Sequence, residues 1–158
     1  MKRQFSGSAL GEIKEILSRY PVQESALLPV LHIAQRDFGC VDEGVVVLVA
    51  DVVGVSHNRV RESASFYTMF SREPRGRHVI RICTNISCAL SGSEDILAFL
   101  VKRLGIPPGG TSQNGLVTLE TVECLGSCGT PPVMMVDDEY HENLNQEKVQ
   151  AILRKMGV

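Results

Sequence analysis

Two pairs of cysteines are the residues of this sequence best suited to chemistry. Cys83 and Cys88 are separated by four residues, and Cys124 and Cys128 by three. Each pair follows an apolar run rich in β-branched residues, so each is expected on a loop at the end of a strand. Thiolates are the ligands that soft metals prefer, and four of them on two short loops predict a metal centre.

The spacing of the cysteines narrows the choice of metal. Structural zinc sites favour two Cys-x-x-Cys knuckles or mixtures of cysteine and histidine, and all four histidines of this chain lie outside both loops. A Rieske centre is excluded because it needs two histidine ligands. A plant-type ferredoxin is excluded because it has a third cysteine where this chain has Ser91. A different iron–sulfur centre is favoured, with zinc as the alternative.

The two pairs resemble the thioredoxin-like 2Fe-2S ferredoxin subunit of respiratory complex I, the NuoE type, and its relatives in NAD-dependent hydrogenases and formate dehydrogenases. That family has Cys-x4-Cys, then Cys-Leu-Gly-x-Cys some thirty-odd residues later, then a proline before a strand. This chain matches the pattern at Cys83, Cys88, Cys124, Leu125, Gly126, Cys128 and Pro132. The segments 28–39 and 66–70 also look like the helical N-terminal half of that family.

The resemblance implies that Cys83, Cys88, Cys124 and Cys128 hold one 2Fe-2S cluster, which exchanges single electrons with a flavin on a partner subunit. It implies a subunit of complex I (NADH:quinone oxidoreductase), or the equivalent subunit of a soluble, in some cases bifurcating, NAD(P)-dependent hydrogenase or formate dehydrogenase. FMN and NAD(P)H are expected on the partner only, and further iron–sulfur subunits are expected beside it. Indeed, the sequence contains no dinucleotide or phosphate-binding loop and no catalytic constellation of its own.

Two functions of other classes remain open. The first is a zinc-stabilised adaptor module whose helical half binds a partner. The second is a thiol redox enzyme using Cys124 and Cys128, which is disfavoured because thioredoxin-type enzymes use Cys-x-x-Cys. The fifth cysteine, Cys40, lies far from both pairs and is expected to be a thiol without a role.

Composition excludes further classes. With 158 residues, a net charge of −2 and a pI near 6.1, the chain lacks the basic field that nucleic-acid binding requires. Its longest apolar run, residues 45–50, is too short to cross a bilayer, and its first residues lack the features of a signal peptide. A cytoplasmic location is expected, peripheral to a membrane only through a complex. Reduced cysteines there favour metal or redox use over disulfides.

The periodicity of apolar residues predicts an α+β fold in two domains. Residues 1–71 are expected to form a helical bundle, and residues 78–158 a thioredoxin-like 2Fe-2S domain, with a polar linker rich in arginine between them. The predicted helices span residues 8–20, 24–38 and 43–53, and a fourth follows Ser56. The stripe of the first is expected at Leu10, Ile13, Leu17 and Tyr20. Phe66, Tyr67, Met69 and Phe70 are expected in the core, with a partner interface as the alternative.

The second half has the predicted order β-α-β-β-β-α. Its elements are expected at residues 79–82, 94–104, 116–122 and 133–136, at Tyr140, and from Asn145 onward, with a capping box at residues 91–94. If the strands before the two cysteine pairs are parallel neighbours, all four thiolates lie at one edge of the sheet. A 2Fe-2S centre with four thiolates carries about two negative charges. The groups expected to compensate them are Arg77, His78, Arg81, the amides near Gly126 and Gly129, and a helix N-terminus after Cys88.

Overall fold

The computed structural model describes residues 3–158, so the first two residues of the predicted helical domain lie outside the described residues. The chain divides into two compact units, Met1–Pro74 and Arg75–Val158. Helices alone form the described part of the first unit, whereas the second contains a four-stranded sheet. Among the described residues, no helix combines the length and the apolar character that a membrane span requires.

Four helices and one short turn build the first unit, as predicted. They are α1 (Gly7–Arg19), a 3-10 turn (Gln23–Ala26), α2 (Leu27–Phe38), α3 (Glu43–Val53) and α4 (His57–Phe66). The helices share one core that runs from Phe5 to Phe70. Because each helix buries one face in this core, the unit has the architecture expected of a small helical bundle.

α3 shows how end signals and burial overcome local preference. Its run of valines favours a strand by propensity. The carboxylate of Asp42 accepts a hydrogen bond from the Val45 N–H at 3.0 Å, and Gly54 ends the helix at φ 75°. Val45, Val49 and Val53 are buried at intervals of four residues, which is a helical spacing. The predicted helix over residues 43–53 is therefore confirmed.

Several details of the first unit differ from the prediction. α1 buries Ala9 and Ile13, whereas Leu10 is exposed and Tyr20 lies beyond the end of the helix. The stripe of α1 is therefore rotated relative to the one expected. Residues 24–26, expected to begin α2, form a 3-10 turn instead.

The aromatic segment after α4 was also predicted wrongly. Phe70 is buried and its ring packs 4.9 Å from that of His32. Phe66 is 78% exposed, and Tyr67 and Met69 are exposed as well. Tyr67 also ends α4 in an extended conformation, so it does not continue the buried stripe of Val60 and Ala64.

The second unit contains a mixed sheet with helices packed on it. Its elements are β1 (His78–Cys83), α5 (Ile86–Leu90), α6 (Ser93–Leu104), β2 (Val117–Val122), β3 (Met134–Val136), β4 (Glu139–His141) and α7 (Gln146–Lys155). The strand order is β2-β1-β3-β4, in which β1 and β2 are parallel and the other neighbours antiparallel. Alternate strand residues such as Ile80, Ile82 and Leu119 are buried in a core shared with residues of α6 and α7.

Two features near the cysteines differ from the sequence prediction. α6 begins after Gly92, which has φ 93° and makes no side-chain cap, so the predicted capping box at residues 91–94 is wrong. α5 was not predicted at all. It is only five residues long, and the Asn85 side chain accepts a hydrogen bond from the Ile86 N–H at its start. So short a helix has no apolar period that sequence alone reveals.

Candidate metal centre

The parallel pairing of β1 and β2 brings both cysteine segments to one edge of the sheet. Cys83 is the last residue of β1 and lies opposite Val122, the last residue of β2. Beyond them, the Thr84 N–H donates a hydrogen bond to the Val122 carbonyl at 3.0 Å. The carboxyl ends of parallel neighbours meet at one edge, so the segments that follow them lie side by side.

The first pair is buried. Cys83 ends β1 and Cys88 lies in the middle of α5, and both side chains are almost inaccessible to solvent. They pack with Val133, which precedes β3, and with Leu125 from the second cysteine loop. This apolar surrounding limits the access of water to one side of the candidate centre.

The second pair is exposed, and its loop is held by several polar contacts. Cys124 and Cys128 both lie at the surface. Between them, Gly126 has φ 77°, a conformation that favours glycine, and its N–H donates to the Cys124 sulfur at 3.3 Å. The Tyr140 hydroxyl donates to the Leu125 carbonyl at 3.0 Å.

Glu142 is a residue of this loop's support that sequence reasoning missed. Its carboxylate accepts hydrogen bonds from the Ser127 hydroxyl and, at 2.6 Å, from the Thr130 hydroxyl. These bonds lower the pKa of Glu142, since they favour the charged carboxylate. Glu142 is fourteen residues beyond Cys128, and no local spacing in the sequence links it to the cysteine loop.

Thiols of both pairs interact with Cys83. Burial raises the pKa of the Cys83 thiol, but hydrogen bonds from the backbone N–H groups of Asn85 and Leu125 outweigh it, together with bonds to Cys88 and Cys124. The net effect is a pKa below the usual value of a cysteine. Because the thiolate is the form that binds metals, the site favours the state that a ligand needs.

Cys88 shows the complementary effect. Its burial, followed by its hydrogen bond with Cys83 and the nearby charges of Cys83 and Cys128, raises the pKa of its thiol, although the backbone N–H of Val133 opposes this. Closely spaced thiols without a cation between them cannot all ionise at low cost. Bound iron would supply the positive charge that removes this penalty.

Backbone amides, not cations, compensate charge at this edge. The Gly126 amide lies at sulfur as expected, beside those of Asn85, Leu125 and Val133. The prediction that a helix begins after Cys88 holds only for α6, because α5 already begins at Ile86.

The predicted role of Arg77, His78 and Arg81 is wrong. Arg81 pairs with Glu120 at 3.1 Å, and His78 pairs with Asp137 at 2.8 Å. His78 begins β1, whose end carries Cys83, so about 16 Å separates the two at roughly 3.3 Å per residue. Arg77 precedes β1 and lies at the same distant end.

The arrangement suits two irons better than one ion. Within residues 3–158, no three or more His, Cys, Asp or Glu side chains are grouped so that they could hold a metal ion. A structural zinc site needs four ligands around one ion. A 2Fe-2S cluster instead places two thiolates on each of two irons, which are bridged by sulfide. Two pairs of cysteines, each on its own segment, match that requirement.

Comparison with known proteins identifies the family. Residues 13–157 match the family model described as thioredoxin-like [2Fe-2S] ferredoxin. The chain belongs to this ferredoxin family. The family resemblance, the fold class and the 2Fe-2S cofactor predicted from the sequence are thereby confirmed. The assignment of individual ligands stays a prediction.

Relatives within the ferredoxin family match almost the whole chain. A NuoE-type NADH-quinone oxidoreductase component of Rhizobium meliloti (strain 1021) is 46% identical over 142 residues, covering 90% of this chain and 84% of the relative. The corresponding NADH-quinone oxidoreductase component of Rickettsia conorii (strain ATCC VR-613 / Malish 7) is 36% identical over 155 residues, covering 96% and 93%.

Solved structures agree on the fold. The NAD+-reducing [NiFe]-hydrogenase in the air-oxidized state matches with a TM-score of 0.74 at 19% identity, covering 84% of this chain and 23% of that chain. The same enzyme in the H2-reduced state also gives 0.74, at 18% identity. This chain spans about a quarter of the hydrogenase chain's length, and the likeness concerns the ferredoxin fold alone.

Proposed function

We propose that this chain is an electron-transfer subunit of an NADH-quinone oxidoreductase and that Cys83, Cys88, Cys124 and Cys128 hold its 2Fe-2S cluster. The observation that carries the proposal is the parallel pairing of β1 and β2, which brings both cysteine segments to one edge of the sheet. The similarity to relatives that are named as components of NADH-quinone oxidoreductase supports the choice of complex.

The cluster, when bound, supplies a one-electron redox couple. The protein's own residues hold it, donate amide hydrogen bonds to its sulfurs and exclude water from the side of Cys83 and Cys88. Hydride chemistry requires a flavin and a nicotinamide, for which the sequence shows no binding loop. A partner subunit that binds flavin and NADH therefore exchanges electrons with this chain, and further iron–sulfur subunits carry them onward.

The domain boundaries and the location belong to the same proposal. The helical domain comprises residues 1–71 and the ferredoxin domain residues 78–158. The division of the chain between Pro74 and Arg75 falls inside the linker that separates them. The chain is cytoplasmic and reaches a membrane only through its complex, which agrees with the lack of a spanning helix in the described residues.

Serine substitution tests the ligands. Cys124→Ser removes one thiolate and is expected to abolish or strongly destabilise the cluster, whereas Cys40→Ser, at a buried position of the first unit, leaves it intact. Iron and sulfide are measured per chain after anaerobic purification, with EPR of the reduced protein. Equal iron loss in both variants would contradict the ligand assignment, and stoichiometric zinc in a colourless protein would favour the adaptor. Co-purifying chains distinguish complex I from a soluble hydrogenase or formate dehydrogenase.

A further inference from the structure

The outer face of α5 is an exposed apolar surface beside the candidate cluster. Successive residues of an α-helix are about 100° apart, so Ile86 and Leu90 are separated by about 40° around the axis. Cys88 lies between them in sequence and points to the opposite side. Accordingly, Cys88 is buried, while Ile86 is 70% and Leu90 is 84% exposed. One short helix thus places a candidate ligand inward and two large aliphatic side chains outward.

The charge around this apolar pair has a single sign. Residues 82–101 and 121–140, which include both cysteine segments, contain no lysine, arginine or histidine. Exposed acidic residues flank the segments: Glu94 and Asp95 in the first turn of α6, Glu123 before Cys124, and Glu142 bonded to the second loop. A bound cluster with four thiolates adds about two further negative charges.

We propose that Ile86 and Leu90 form the centre of the surface to which the flavin-bearing subunit docks, an inference that rests on the proposed function. The partner surface that fits is an apolar socket with lysine or arginine around it, because interfaces join apolar centres and complementary charged rims. Electron exchange requires the partner to approach the edge that carries the cysteines. Ile86 and Leu90 lie on that edge and are otherwise left in water.

A double substitution on α5 tests this surface. Ile86→Gln with Leu90→Gln keeps good helix formers at both positions but removes the aliphatic side chains. The cluster-loaded variant should bind the purified flavin-bearing subunit about tenfold or more weakly than the unsubstituted chain, since two buried aliphatic contacts are lost. Its iron content and the EPR spectrum of its reduced cluster should not change. Binding of the unsubstituted chain should also weaken as salt concentration rises.

Val22→Gln is the matched control, because Val22 is a 59% exposed aliphatic residue of the first unit. It should leave affinity unchanged. Unchanged affinity in the double variant, or an equal loss in the control, would overturn the inference. So would self-association of the unsubstituted chain that the double variant abolishes, since a second copy would then cover the face.

Loss of the cluster has a separate meaning. If the unsubstituted chain contains no iron, the proposed function fails before the docking surface is tested. If only the double variant loses iron, Leu90→Gln alone is measured by the same criteria. Iron loss in that single variant as well would show that the outer face of α5 supports the cluster and not a partner, which would also reject the inference.

Discussion

At the scale of single residues, Asp137 joins the start of β1 to the turn between β3 and β4. One carboxylate oxygen accepts a hydrogen bond from the Val79 N–H at 2.8 Å, and the other lies 2.8 Å from Nδ1 of His78. Burial raises the pKa of Asp137, but these two bonds and the nearby charges of His78 and Arg81 outweigh it and lower the pKa. Asp137 therefore stabilises the fold in its charged form.

This residue predicts a pH dependence. A carboxyl whose pKa is depressed by folding contributes stability above its unfolded pKa of about 3.9, and the contribution is lost as pH falls through the folded value. Asp137→Asn is expected to be less stable than the unsubstituted chain at neutral pH, and the difference should shrink below about pH 4. Urea unfolding of the cluster-free chain at several pH values measures it. A gap that persists in acid would show that the charge of Asp137 is not responsible.

At the scale of elements, α3 depends on its ends. Asp42 accepts from the Val45 N–H and also pairs with Arg3, and the Val45 bond is the largest cause of the lowered pKa of Asp42. The capped first turn directs Val45 and Val46 into the core of the bundle. A sequence run with strand propensity is thus kept helical by one side chain at its start and by burial along its length.

Removal of this cap should destabilise the first unit. Asp42→Ala is expected to lower the free energy of unfolding by about 1 kcal/mol, the usual cost of losing an N-cap acceptor. Asp51→Ala, on the exposed side of the same helix, is the control and should change it by less than about 0.5 kcal/mol. Chemical unfolding followed by far-UV circular dichroism measures both. Equal effects would mean that the cap does not hold the helix.

At the scale of the whole molecule, all four proposed ligands belong to one of the two compact units. Cys83, Cys88, Cys124 and Cys128 lie in Arg75–Val158, and each unit has its own apolar core. A ligand that binds only the folded state stabilises the structure that contains its site. Cluster binding should therefore act on the second unit.

Hydrogen exchange can compare the two units in the intact chain. Removal of the cluster is expected to reduce amide protection in β1, α5 and the loop after β2, while protection of α2 and α3 stays the same. Mass spectrometry of loaded and cluster-free protein, followed peptide by peptide, gives the measurement. A comparable loss of protection in α3 would show that the cluster also stabilises the helical unit.

The sequence alone determined the features that depend on neighbouring residues. Cysteine spacing indicated the metal centre, Asp42 and Gly54 marked the ends of α3, and apolar periodicity located β1, β2 and α7. It did not reveal α5, because five residues are too few for a periodic signal. It also misplaced the aromatic residues after α4, since apolar character does not distinguish a core residue from one left at the surface.

Only the tertiary structure decided which distant residues meet. β1 and β2 are parallel neighbours, so Cys83 lies beside a loop about forty residues later. The same register pairs Arg81 with Glu120 and keeps that cation from the cysteine edge. The physical reason is that strand register depends on burying alternate residues of both strands against α6 and α7 at once, a condition that no local stretch of sequence contains.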